Sequence, residues 1–520
     1  MSTVEQQPQA SANGAGGKTI AVTNKATGEV IGHVPNLDRE QIGDLVGRAR
    51  AAQPAWDALG YDGRRAVLLD LRKWLVDNSD RVCRTIVEEN GKPWEDAQLG
   101  IFYTADALTF WGKRAEKYLA DQTFRPHSAF LVGSKVILRY RPYGVVGVIG
   151  PWNYPLINNF GDAVPALMAG NSVVLKPSSI TPMTSLLIQE GWREIGAPEG
   201  VYLVATGAGG AGSALIDFVD MVHFTGSTET GKKVMAQAAE TVTPVTLELG
   251  GKDPMVVCGD ADLERAVNAA LYYSMQNGGQ TCISVERVYV EEPVYEEFVS
   301  KVADRARELR QGVPAGPGSI DVGAMTMAEQ ADIVERHVKD AVDKGARVVA
   351  GGKRHDANGA VFFEPTVLRD VDHSMEIMRE ETFGPTLPVM RVRDQEEAVR
   401  LANDSQFGLD SSVFTKDLEK GEQLARRIEA GATVVNDCMT NYFATEVPIG
   451  GIKQSGLGAR HGAMGIQKYC HPHNILVARI APKKSPLFFP HTSSATKAIG
   501  RFIKLLYGRG HGRRGRRGRR

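Results

Sequence analysis

The spacing of apolar residues changes character between the first and second quarters of the chain. In the first quarter it is helical. Asp38 followed by Gln41 has the form of a capping box, and Ile42, Leu45, Val46 and Ala49 recur behind it at helical spacing. A second amphipathic helix is expected over roughly residues 64–78, through Leu68, Leu71 and Leu75. From about Val136 short strands take over. Residues 136–140 alternate as a strand does, and 145–149, 172–175, 201–204 and 221–224 are brief apolar runs of the kind that form buried parallel strands. Strands alternating with helices predict an α/β fold with a doubly wound parallel sheet, whose ligands lie beyond the strand carboxyl ends. Around Gly250 a second α/β region begins, with helices expected at 262–275 and 330–344 and strands at 287–290 and 346–349. Residues 474–478 read as a lone strand, far in sequence from any sheet. Such strands often pair across subunits, so an oligomer is expected.

Length and composition narrow this picture. A chain of 520 residues exceeds what one core supports, so two or more domains are expected. With 42% hydrophobic residues and 56 glycines it belongs with soluble α/β proteins, not with disordered or fibrous ones. No apolar run approaches the ~18 residues of a membrane-spanning helix. Residues 1–18 lack the apolar segment of a secretory signal and are expected to form a disordered leader. The five cysteines, Cys83, Cys258, Cys282, Cys438 and Cys470, are odd in number and match no metal spacing. That favours a reducing cytoplasm and no metal site. Net charge is zero, yet 12 of the 61 basic residues and none of the 61 acidic ones fall in 481–520.

Two stretches carry candidate chemistry. Asn277-Gly278-Gly279-Gln280-Thr281-Cys282-Ile283-Ser284 offers a thiol beside two glycines that permit close approach of backbone or ligand. Leu247-Glu248-Leu249-Gly250-Gly251-Lys252 offers a carboxylate in an apolar setting, where desolvation would raise its pKa and suit it to be a base. A thiol nucleophile with a separate carboxylate base is the equipment for covalent catalysis through a thioester. Gly207-Ala208-Gly209-Gly210-Ala211-Gly212 satisfies the dinucleotide fingerprint, but no acidic residue closes a following strand, so turn chemistry is the preferred reading. Gly226-Ser227, between a strand and a helix, is the better anion site, because helix N–H groups and the helix dipole face a pyrophosphate there. Lys176, just past another strand end, reads either as a ligand to a ribose or phosphate oxygen or as a solvated loop lysine. Glu381 and Phe383 sit in a tight turn and could hold ribose hydroxyls and back a nicotinamide ring.

Seven segments then fall in one order: Pro151-Trp152-Asn153-Tyr154-Pro155, Leu175-Lys176-Pro177-Ser178, Phe224-Thr225-Gly226-Ser227, Leu247–Lys252, Gly279-Gln280-Thr281-Cys282, Glu381-Thr382-Phe383-Gly384-Pro385 and Pro448-Ile449-Gly450-Gly451-Ile452-Lys453. Together they closely resemble the NAD(P)-dependent aldehyde dehydrogenase superfamily, across about residues 20–480 and nearest its non-acylating bacterial members. The resemblance implies a cofactor domain (19–121 and 141–248), a catalytic domain (249–464) and a small β oligomerisation arm (122–140 and 465–480), in a homodimer or homotetramer. It implies Cys282 as nucleophile, Asn153 and the Cys282 N–H as oxyanion hole, and Glu248 as the base that hydrolyses the thioester. Trp152, Lys176, Ser179, Gly226, Ser227, Leu249, Glu381 and Phe383 would contact NAD or NADP. Relatives that transfer the acyl group to coenzyme A generally lack a carboxylate at Glu248, so a free acid is the expected product.

Three departures carry information. NAD-strict relatives often place a glutamate where this chain has Ser179, so NADP is expected to be tolerated. Succinate-semialdehyde relatives tend to place an arginine where this chain has Gly161. With Tyr442, Phe443 and Ile449 expected at the tunnel mouth, uncharged, bulky or long-chain aldehydes are favoured, and succinate semialdehyde is the alternative. Arg287 could serve a substrate carboxylate but is expected to be structural. Finally, Ile499, Phe502, Ile503 and Leu506 face away from Lys497, Arg501 and Lys504, and Gly-Arg-Arg repeats end the chain. Residues 481–520 are therefore expected to sit on an anionic membrane surface, giving a cytoplasmic protein with a peripheral membrane placement. A free tail or nucleic-acid binding are the competing readings. A silent scaffold is the non-enzyme alternative, against which Cys282, Glu248 and Asn153 are all present.

Overall fold

The structure is a computed structural model that describes residues 18–508 except 358, 482 and 486. Most of the expected leader and the terminal Gly-Arg-Arg repeats lie outside the described residues. The chain divides into two compact units. The first ends at Ala120, resumes at Tyr140 and runs to His471. The second is made of Asp121–Arg139 and the residues from Pro472 onward.

The first unit has two sheets. One is six-stranded, in the spatial order Gly456–Leu457, Val245–Glu248, Met221–Thr225, Val145–Ile149, Ser172–Lys176, Tyr202–Val204. All its pairings are parallel except that of Gly456–Leu457. Val145–Ile149 is buried at every position, which explains its unbroken apolar run. Strand order reverses beside it, since the next two strands in sequence lie on one side and the following two on the other. In open α/β sheets such a switch point opens a crevice at the strand carboxyl ends. The Arg39–Ala58 helix, begun by the complete Asp38/Gln41 capping box, packs its Ile42, Leu45, Val46 and Ala49 stripe into the core of this sheet.

The other sheet is seven-stranded, in the order Arg347–Ala350, Thr366–Arg369, Thr386–Val392, Val285–Glu291, Asp253–Val257, Ser412–Phe414, Val434–Val435. Only its Arg347–Ala350 edge is antiparallel. Arg287, on the central Val285–Glu291 strand, is buried and donates to the Lys252, Leu401 and Ala402 carbonyls, so its role is structural.

One expectation is corrected. The strand at 474–478 is not alone: it is part of Cys470–Ala478, which pairs with Ser134–Pro142 in a three-stranded sheet completed by Gln122–Phe124. A pairing partner therefore exists within the same chain, and Cys470–Ala478 forms one edge of that sheet.

Candidate active site

Cys282 follows a tight reversal. Asn277, Gly278 and Gly279 have φ of 52°, 63° and 70°, left-handed conformations that glycine adopts without the usual Cβ penalty. A Cβ on Gly279 would stand 2.0 Å from the Gly384 carbonyl oxygen, so this glycine is required by the close approach of protein backbone. Of the five cysteines only Cys282 is not buried. Burial of its surroundings pushes the thiol up to about 12, with Arg460 acting in the opposite direction and Glu381, Asp253 and Glu248 adding to the rise.

Two cavities meet at this sulfur. One, of about 130 Å³, is walled by Leu99, Ile157, Tyr272, Tyr273, Met439 and Phe443 among others, and no Lys, Arg, Asp or Glu lines it. The other, of about 240 Å³, is bounded by the loops that follow two adjacent strands at the switch point: Pro151, Trp152 and Asn153 on one side, Thr225, Gly226 and Ser227 on the other. Leu249, Gly250, Glu381 and Phe383 complete it. Cys282 and Asn158 line both.

The second cavity has groups suited to the nicotinamide and pyrophosphate parts of a dinucleotide. Ser227 caps the Thr228–Ala239 helix, accepting from the Thr230 N–H at 3.3 Å, so the positive end of that helix faces the cavity wall. A Cβ on Gly250 would stand 2.4 Å from a Glu381 carboxylate oxygen, so only glycine lets that carboxyl lie over the strand end. Glu381 accepts from the Gly251 N–H at 3.0 Å, and burial, then Glu286, push it up to about 8. Phe383 is held at φ 52°, a conformation costing on the order of 1–3 kcal/mol for a non-glycine residue. Glu286 secures it, accepting from the Thr382 and Phe383 N–H groups at 3.0 and 2.9 Å while pairing with buried Lys252. Phe383 thereby meets Trp152 edge-on at 5.5 Å. Lys176, at the carboxyl end of the strand beside Val145–Ile149, is buried, and its ammonium has no hydrogen-bond partner among the described residues. Burial lowers it to about 8, and an acceptor such as a ribose or phosphate oxygen would stabilise it. Lys176 and Ser179 do not line the second cavity.

Asn153 is anchored by parts that sequence reasoning missed. Its carbonyl accepts from buried Lys92 at 2.7 Å, and its side-chain amide donates to the Gln280 carbonyl at 2.9 Å, leaving one amide hydrogen for an oxyanion. Asp96 accepts from the Asn277 N–H at 2.7 Å. The Lys92–Asp96 segment thus ties the Asn153 loop to the Cys282 loop. Burial lowers Lys92 and raises Asp96, each opposed by the other.

Glu248 departs from expectation in its surroundings. Burial does raise its pKa, but the setting is charged. Arg460 lies 3.2 Å from Oε2 and lowers that pKa, as does Lys468, while Asp162 raises it. Arg460 in turn grips Asp162 with two bonds of 2.8 Å and donates to Thr225 at 2.7 Å. Oε1 of Glu248 has no partner among the described residues, and Glu248 lines neither cavity although Leu249 and Gly250 do. Arg460 reaches this place because its backbone pairs with Ile449, a contact with no local sequence signal.

The expected tunnel is partly revised. Tyr442 and Phe443 line the first cavity, with Tyr442 donating to Asn158 at 3.0 Å. Gly161 is not on its wall. It is buried, with the Tyr103 ring 3.3 Å from where a Cβ would stand, so its lack of a side chain makes room for Tyr103. Ile449 is also buried and off the wall, engaged with Arg460.

A sequence profile of the Aldehyde dehydrogenase family matches residues 12–475. The chain belongs to this family. The 4,4'-diapolycopene aldehyde oxidase of Methylomonas sp. is 40% identical over 94% of this chain and 92% of its own. The NADP(+) succinate-semialdehyde dehydrogenase of Escherichia coli is 37% identical over 87% and 93%. A solved NAD-dependent aldehyde dehydrogenase from Sinorhizobium meliloti superposes with a TM-score of 0.86 at 35% identity, covering 91% of this chain and 94% of that one. This aldehyde dehydrogenase is therefore an α/β enzyme that uses NAD or NADP.

Proposed function

We propose that this aldehyde dehydrogenase oxidises uncharged, bulky or long-chain aldehydes to free carboxylic acids through a thioester on Cys282. The observation that carries the reading is that Cys282 stands where a polar cavity with a helix start meets an apolar cavity lined by aromatic residues. Cys282 gives up its proton to solvent and attacks the aldehyde carbon as a thiolate; the C=O π bond breaks, and the resulting oxyanion is held by the free Asn153 amide hydrogen and the Cys282 N–H. NAD or NADP, when bound, would supply the hydride acceptor, and loss of hydride would leave the acyl group on the Cys282 sulfur. Glu248 then leaves Arg460 by side-chain rotation and takes a proton from the water that attacks the thioester, releasing the acid and restoring the thiol. Glu381, Phe383, Trp152 and Leu249 position the nicotinamide end of the cofactor, Gly226 and Ser227 its pyrophosphate, and Lys176 and Ser179 the adenosine ribose. With neutral Ser179 there, NADP is accepted beside NAD.

The apolar cavity supports the substrate class, because no cation lines it to meet a distal carboxylate. Succinate semialdehyde is the second reading, favoured by the names of several relatives. The working form is a homodimer or homotetramer. A panel of octanal, benzaldehyde and succinate semialdehyde with both cofactors tests the reading. Octanal or benzaldehyde should exceed succinate semialdehyde in kcat/KM by about tenfold or more. A strong preference for the latter would overturn it.

A further inference from the structure

The second unit carries an exposed apolar and basic surface for which the chemistry at Cys282 has no use. The Ser493–Tyr507 helix, capped by Thr492, has no buried residue. At about 100° per residue, Ile499, Phe502, Ile503 and Leu506 share one face, and Lys497, Arg501 and Lys504 share the opposite one. Phe502 meets Phe130 of the same unit edge-on at 6.0 Å, which joins the helix to further apolar groups. Phe130 is itself 54% exposed, Ile480 is 69% and Phe489 86%. A surface of this kind on a soluble protein marks an interaction site.

The charge identifies the occupant. Residues 481–520 hold 12 Lys or Arg and no Asp or Glu. Apposing the same surface of a second copy would set one polybasic segment against another, whereas an anionic bilayer offers apolar depth and negative charge together. A nucleic acid would satisfy the charge but leave the Ile503 and Leu506 stripe in water. We propose that the exposed surface formed by the Ser493–Tyr507 helix and Phe130 docks this enzyme on bilayers containing anionic lipid, with the apolar face of the helix entering the acyl boundary. The proposal is independent of the substrate class argued above.

Vesicle flotation tests it, using the full chain, a chain ending at residue 480, and a K497E/R501E/K504E variant. Turnover of propanal by all three reports folding, since none of these residues belongs to the site. The full chain should float with phosphatidylcholine vesicles containing about a third phosphatidylglycerol. Flotation should fall at least about tenfold in 0.5 M salt and by a similar factor in both altered chains. Absence of flotation, or equal flotation of the shortened chain, would overturn the proposal. So would tail-dependent retention on a single-stranded oligonucleotide, or a tail-dependent change of oligomer mass, without vesicle binding.

Discussion

The two cavities that share Cys282 are built in different ways. The more polar one rests on backbone features at the ends of parallel strands: the loop after Val145–Ile149, the helix start after Met221–Thr225, and Gly250, where a Cβ would meet Glu381. The apolar one is made of side chains brought from far apart in sequence, Leu99, Ile157, Tyr272 and Met439 among them. Backbone-built sites need particular glycines and caps, so they leave local signatures. A wall of side chains needs only apolar bulk, which many residues supply. The cofactor side is therefore constrained, and the aldehyde side is free to vary.

The hinge of this comparison is the sulfur itself. Cys282→Ala should lower aldehyde oxidation by at least about 10⁴-fold in steady-state NADH formation, while NADH binding, followed by fluorescence, stays unchanged. Loss of both would mean that the cavities are not separable.

Glu248→Gln separates the two halves of the reaction. Hydride transfer should persist as a pre-steady-state burst of NADH near one equivalent per site, with turnover slowed about 10²–10³-fold. Unchanged turnover would remove Glu248 as the base.

In the proposed reaction, Arg460 sets when that base can act. A carboxylate base works deprotonated, so activity rises with pH through the pKa of Glu248, which burial raises and Arg460 and Lys468 lower. Arg460→Met should shift the acid limb of kcat to higher pH and lower kcat about tenfold at neutral pH. It also leaves Asp162 buried without its main partner, a loss of about 3–5 kcal/mol in stability. Arg460→Lys distinguishes charge from packing, since it should return the limb toward its original position. A limb unmoved in Arg460→Met would make the ion pair structural only.

These residues mark where sequence reading reaches its limit. Four strands of the first sheet, two of the second and the Cys282, Glu381 and Gly226 turns were legible, because buried parallel strands and left-handed or closely packed turns restrict residue type locally. Arg460 and Asp162 were not, nor was the Lys92–Asp96 brace, because each acts through a contact across at least 61 residues in the chain. Gly161 misled for the opposite reason. A missing side chain can signal an open tunnel or a packed neighbour, and only Tyr103 at 3.3 Å decides between them.

The aldehyde side should yield to one substitution. Phe443 is 38% exposed at the cavity wall, so Phe443→Arg adds a cation without burying it. The kcat/KM ratio of succinate semialdehyde to octanal should rise about tenfold. No change would place substrate selection elsewhere.

The smallest effect is expected at Lys176 and Ser179, which are proposed to meet the adenosine ribose and lie outside the cavity that meets Cys282. In the wild type, kcat/KM for NAD over NADP should stay below about 10³, since more than about 4 kcal/mol of discrimination requires a repelling charge that Ser179 does not carry. Ser179→Glu adds that charge. A unit charge about 4 Å from a 2′-phosphate near the surface is worth up to about 4 kcal/mol before salt screening, so NADP should lose about tenfold while NAD is nearly unaffected. The loss should shrink at high salt. Equal loss with both cofactors would instead mean that the glutamate disturbs the Lys176 strand end, and the backbone-built side would then be as intolerant here as it is at Gly250.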